Sequence, residues 1–143
     1  PFCSLNGYTL YDPEILAVAL SAPGAGLGLV VEPIAAASYD DMLVRVDNGA
    51  VRAVSKTLSE GQATHRSLGL VLAEQGHDDY ADALHGLIAE RNGAGAYHHD
   101  IVDRLAHARS VAAIERAAGF WQEVDRPEDI VVWRAEHEPG FRG

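Results

Sequence analysis

The sequence predicts an α/β fold, a mixed and mainly parallel sheet flanked by helices. Short apolar runs alternate with amphipathic stretches along the 143 residues, a length that fits one domain. The run LGLVVE (27 to 32) is almost continuously apolar, as in a strand covered on both faces. An Asn-Gly pair sits between two alternating runs, the mark of a tight hairpin.

PFCSL (1 to 5) reads as a short buried strand ended by a turn at NGY (6 to 8). In DPEILAVAL, Asp12 is placed to cap a helix, Pro13 takes its first position, and residues 15, 16, 19 and 20 share an apolar face. With LGLVVE this makes a β-α-β unit. MLVRVDNGAVRAVSK (42 to 56) is the hairpin, because Asn48-Gly49 supplies the positive φ angles of its turn. SLGLVLA (67 to 73) is a further strand. It precedes a helix over 78 to 91, with Tyr80, Ala83, Leu84, Leu87 and Ile88 inward, which NGAGA interrupts. A helix over 97 to 108 buries Ile101, Val102 and Leu105, VAAIE (111 to 115) and FWQEV (120 to 124) are strands, and PEDIVVWRAEH closes the chain as a helix.

Composition excludes several classes of function. With 48% apolar and 22% charged residues the chain is neither disordered nor of low complexity. No apolar run reaches membrane-spanning length and there is no basic-then-apolar leader, so a cytoplasmic location is expected. The formal net charge is −10, with Lys56 the sole lysine and no basic run, which argues against nucleic acid as a partner. A small phosphate ligand remains open, since a few arginines and helix N-termini bind one locally. Cys3 is the sole cysteine and, with Phe2 and Leu5 nearby, reads as a buried structural thiol. The chain opens at Pro1 directly on a strand and reads as a fragment.

In open α/β sheets ligands bind where strands end and helices begin. Asp125, in FWQEVDRPEDI (120 to 130), occupies such a junction. From local chemistry alone it reads equally as a helix cap or as a partner of Arg126, while Asp129 can reach back to the backbone at 126. His98 and His99 are adjacent, point about 100° apart on a helix, and read as solvated. His77, Asp78 and Asp79 read as a helix start. The glycine-rich APGAGLG (22 to 28) follows a helix and reads as a connecting loop rather than a phosphate cradle.

FWQEVDRPEDI resembles the closing signature of the sugar-phosphate and phosphocholine-type nucleotidyltransferases. LNGYTLYDPEIL (5 to 16) is similar to their Asn-Gly-Asp strand end, SYDDMLVRVDNGAVRAVSKTL (38 to 58) to their hairpin, and SLGLVLA and AYHHDIVDRLA follow in the family's order. The Tyr-Asp-Asp-Met lead looks closest to the cytidylyltransferase branch. The resemblance implies an incomplete Rossmann-like nucleotidyltransferase fold with a hairpin insertion. It also implies a Mg2+-dependent reaction in which a small phosphorylated or phosphonate acceptor attacks the α-phosphorus of a nucleoside triphosphate, CTP by preference, and pyrophosphate leaves.

By the same resemblance Asp125 is the metal ligand, Lys56 meets a phosphate or else ends its strand in solvent, and Asn6, Gly7, Tyr8 and Glu123 border the substrates. Tyr97 and Trp121 are placed to face the acceptor or to pack at its rim. Tyr8 stands where the family carries its first metal-binding Asp, and Arg66 stands near a family Glu, which would favour an anionic acceptor. The family's Gly-rich loop lies in a segment upstream of Asn6-Gly7 that this sequence does not contain. The chain is therefore expected to be the C-terminal portion of such a domain, to be inactive alone, and to act fused to or beside another enzyme. The alternative is a degenerate relative with a binding or interaction role.

Overall fold

The structure, a computed structural model, describes the chain except residues 22–25, 35, 37–39, 60, 76, 91–94, 109–110, 117 and 139–143. Residues 22–25 of the glycine-rich loop, residues 92–94 of the interruption at 92–96, and the lead residues Ser38 and Tyr39 fall outside the described residues. The elements run β1 (Phe2–Leu5), β2 (Thr9–Tyr11), α1 (Pro13–Ser21), β3 (Leu27–Pro33), β4 (Leu43–Asp47), β5 (Ala50–Ser55), β6 (His65–Ala73), α2 (His77–Ala89), α3 (His98–Ala108), β7 (Val111–Glu115), β8 (Trp121–Glu123) and α4 (Pro127–His137). No helix among the described residues is long and apolar enough to cross a membrane.

Six strands form one sheet in the order β1-β6-β3-β7-β5-β4. Only the β3–β7 pair is parallel, so the expectation of a mainly parallel sheet is corrected. The reason lies in β6, which runs opposite to both strands of the β-α-β unit and slots between them. The sheet is not an open one either. β4 returns to pair with β6 at Leu43–Arg66 and Val44–His65, closing β6, β3, β7, β5 and β4 into a barrel with β1 outside it. The hairpin forms as expected, with Asn48 at φ 50° and Gly49 at φ 72°, both positive as a type I′ turn requires.

Alternation along β3 and β6 divides the interior. Leu29 and Val31 on β3, with Val71 and Ala73 on β6, face the cluster built by α3 through Ile101, Val102 and Leu105. Val30, Leu68 and Leu70 face the other way, onto Ile15 and Ala19 of α1. The apolar spacing read in α1 and α3 thus marks the buried faces, except that Leu20 is exposed. Leu84 and Ile88 of α2 are likewise exposed, so the inward face read there holds only for Tyr80, Ala83 and Leu87. Cys3 is exposed on the edge strand β1, which corrects the buried thiol expected from its neighbours.

β6 carries a bulge. Leu29 pairs with Val71 and Val31 with Ser67, so one residue of β3 faces three of β6, and Gly69 at the centre has φ 72°. Asn6 lies against it, donating its N–H to the Gly69 carbonyl at 3.2 Å. A Cβ at Gly69 would collide with the side-chain amide of Asn6. We expect Gly69→Ala to lower the free energy of unfolding by about 1–3 kcal/mol, from the left-handed backbone and the displaced Asn6 together. Gly61→Ala, where a Cβ meets nothing within 4 Å, should stay within about 0.5 kcal/mol of wild type in the same urea titration.

Candidate functional site

At the ends of β1 and β6, strands β2 and β8 pair antiparallel as a ribbon outside the main sheet, with Thr9 opposite Glu123 and Tyr11 opposite Trp121. β2 was not foreseen, because its three residues lie between a turn and a helix cap. The ribbon continues through the Val124 N–H, which donates to the Tyr8 carbonyl at 2.7 Å. Tyr8 and Asp125 are thereby brought side by side from sequence positions far apart.

Two carboxylates near this ribbon act as caps. Asp12 Oδ1 accepts the Glu14 N–H at 2.9 Å and starts α1, as expected. Asp129 Oδ2 accepts the N–H groups of Asp125 and Arg126 at 3.0 and 2.8 Å and secures the start of α4. The role that local chemistry offered to Asp125 is filled by Asp129. The Asp125 carboxylate is exposed and lines a cavity of about 510 Å³.

That cavity gathers Tyr8, Lys56, Tyr97, Glu123 and Asp125 from the residues singled out in the sequence. Asp40, Met42, His99, Arg126 and Asp129 join them. Asn6 and Gly7 lie in an adjoining groove, which shares Tyr8 and Tyr97 with the cavity. Arg66 and Trp121 are elsewhere. Arg66 donates to Glu32 Oε1 at 2.6 Å and to Asp41 Oδ1 at 3.1 Å, and its guanidinium lies 4.9 Å from the centre of the Trp121 ring. Arg116 also donates to Glu32. Burial alone would push the Glu32 carboxyl up, but hydrogen bonds from Arg116 and Arg66 outweigh it and hold the carboxyl below the usual range.

The cavity is predominantly acidic. Lys56 Nζ donates to Asp40 Oδ1 at 2.7 Å, a hydrogen bond that raises the lysine's pKa and lowers the aspartate's. Burial, then Asp125 and Asp40, push the Glu123 carboxyl up. Burial, then Glu123 and Asp125, likewise raise the Tyr8 phenol, so Tyr8 stays neutral and offers a donor rather than an anionic ligand. Four acids against two bases line this space, a field that disfavours a free polyanion and favours one accompanied by a cation. Among the described residues no group of three or more His, Cys, Asp or Glu could hold a metal by itself.

His99 corrects the expectation of two solvated histidines. It is 7% exposed at the start of α3, and its Nε2 lies 2.9 Å from Ser67 Oγ. Sequence spacing missed it because burial of the first turn of α3 depends on how that helix meets β6. His98 is half-buried, with both ring nitrogens enclosed and unpartnered. Burial, then His98 and Lys56, push the His99 pKa down to about 4. The unfolded chain therefore takes up a proton below about pH 6.5 that the folded chain refuses until about pH 4. Stability is complete above that window and is lost as pH falls through it, with a ceiling of about 3 kcal/mol. We expect the urea midpoint of wild type to fall more steeply than that of His99→Gln between about pH 7 and about pH 4.5. Parallel slopes would contradict the burial of a neutral imidazole.

No family model matches the chain, and no curated protein matches it in sequence. Solved structures do match. The inositol-1-phosphate CTP transferase from T. maritima superposes with a TM-score of 0.67 at 16% identity, over 90% of this chain and 50% of that one. A putative glucose-1-phosphate thymidylyltransferase from Bacillus anthracis gives 0.66 at 11%, over 99% and 56%. A UTP-bound UGPase from Acinetobacter baumannii gives 0.62 at 12%, over 96% and 52%. The chain spans about half the length of these structures. At such low identity the likeness concerns the fold alone, and the fold is nucleotidyltransferase-like.

Proposed function

We propose that the chain is the C-terminal portion of a nucleotidyltransferase domain, the part that holds the acceptor. The reaction joins a nucleoside monophosphate, from CTP by preference, to a small phosphorylated or phosphonate acceptor. An oxygen of the acceptor's phosphoryl or phosphonyl group attacks the α-phosphorus, the bond from that phosphorus to the bridging oxygen breaks, and pyrophosphate leaves. The observation that carries this reading is the free Asp125 carboxylate, released from capping by Asp129 and set beside Tyr8 in an acidic cavity.

The residues present fit a magnesium ion in part. Asp125, with Glu123 beside it, resembles the one or two carboxylates that such an ion takes from protein when phosphate oxygens and water complete its shell. When bound, magnesium would offset the charge of the phosphates. The chain's own residues then have defined tasks. Asp125 and Glu123 set the negative side of the cavity, Lys56 and Arg126 the positive side, and the Tyr8 and Tyr97 hydroxyls offer neutral hydrogen bonds at the rim. The Gly-rich loop that would cradle the triphosphate is assigned to a segment outside this sequence.

One observation favours a second reading. Tyr8 stays neutral, which suits a degenerate relative that binds a phosphorylated ligand without turnover.

We expect the 143-residue chain to release no pyrophosphate from CTP with phosphocholine or a phosphonate acceptor in magnesium buffer. Turnover by the chain alone would contradict the need for a further loop. In a polypeptide that adds a Gly-rich loop segment, turnover should appear, and Asp125→Asn should lower kcat/KM by at least about 100-fold. If that longer polypeptide is inert and Tyr8→Asp makes it active, the binding reading replaces the enzyme.

A further inference from the structure

The pair Ser67–His99 is the one buried polar unit that borders the cavity without a role in the scheme above. Ser67 is 4% exposed and accepts the Gly69 N–H at 3.0 Å through Oγ. Among the described residues, its hydroxyl proton has one acceptor within hydrogen-bond distance, the His99 Nε2 at 2.9 Å. A hydroxyl that already accepts from a backbone N–H and is closed off from water is best satisfied by donating. Nε2 is therefore the unprotonated nitrogen, and the ring proton sits on Nδ1. His99 lines the cavity. With Nε2 committed to Ser67, Nδ1 is the polar atom it has left for a ligand.

We propose that His99 presents Nδ1–H to the cavity as a fixed, neutral donor to a phosphoryl or phosphonyl oxygen of the acceptor. The inference rests on the nucleotidyltransferase reading and narrows its substrate. A donor locked in one tautomer matches an oxygen with lone pairs and gives nothing to a quaternary ammonium group. Because the ring stays uncharged beside Lys56, it adds a hydrogen bond without raising the positive charge around Lys56 and Arg126. The Ser67 hydroxyl holds the tautomer, and the bulge at Gly69 holds the Ser67 hydroxyl. Ser67 is thus a positioning residue and His99 the binding one.

The test is nitrogen NMR of the intact chain with labelled histidine, near neutral pH. The free protein should show His99 protonated at Nδ1 and bare at Nε2, and Ser67→Ala should mix the tautomers. Ethyl phosphate, a phosphorylated alcohol without a cationic group, should then shift the Nδ1 signal as it binds. His99→Phe should weaken that binding by about tenfold or more, and His99→Asn, which returns an N–H close to the Nδ1 position, should recover most of it. A proton on Nε2 in the free protein overturns the proposal, as does ethyl phosphate binding with Nδ1 unmoved; both leave the nucleotidyltransferase reading standing. A response to magnesium CTP but not to ethyl phosphate assigns the donor to the nucleotide and overturns its link to the acceptor. Failure of ethyl phosphate to bind overturns this proposal, whatever magnesium CTP does, while the nucleotidyltransferase reading is decided separately by turnover in the polypeptide that adds the Gly-rich loop segment.

Discussion

The left-handed backbone at Gly69 is the constraint on which the rest of the structure depends. β6 pairs with β1, β3 and β4, so a change in its course reaches most of the sheet. The bulge lets the two halves of β6 serve different neighbours. Residues from Leu70 onward pair with β1, while His65 and Arg66 pair with β4 on the returning side of the barrel. Asn6, which ends β1, packs where only a glycine leaves room, and the chain turns there into Tyr8 and the ribbon. One residue without a side chain thus decides where β1 stops and where the cavity begins.

Around that cavity, structural demands are met by side chains other than those offered to a ligand. Asp129 and Asp12 cap the helices, and Arg66 and Arg116 neutralise the buried Glu32. Asp103 accepts the Val54 N–H at 2.7 Å and ties the hairpin to α3. Burial, then the charges of Asp125 and Asp40, raise the Glu123 carboxyl against the opposing pull of Lys56, so the negative groups of this cavity crowd one another. A larger cavity lies at the far end of the sheet, among Phe2, Leu27, Gly28, Leu72 and Val111, and its lining is mainly apolar, with Glu74 its one charged side chain among the described residues. It lacks the charged pair that phosphate chemistry requires.

The elements themselves were legible in the sequence because their signals are local. Asn48-Gly49 demands its turn, Asp12-Pro13 demands a helix start, and the spacing of Ile101, Val102 and Leu105 marks one face. Strand direction was not legible. Nothing in SLGLVLA says whether it runs with or against LGLVVE, and the antiparallel course of β6 follows from the hairpin delivering it from the opposite end. The site was legible in part. Asp125, Tyr8, Lys56, Tyr97 and Glu123 share one cavity, whereas Arg66 was matched to a ligand and is bound to Glu32. His99 was read as solvated because a buried histidine and an exposed one look alike in a helix register, and only the packing of α3 on β6 separates them.

The measurement that tests the central claim most directly is backbone amide shift mapping of the chain titrated with magnesium CTP together with a phosphonate acceptor. The account predicts that the shifted resonances cluster at Tyr8, Lys56, His99 and Asp125, around the ribbon of β2 and β8. Shifts centred on Gly28, Leu72 and Val111 would place the ligand in the apolar cavity at the far end of the sheet and contradict the account.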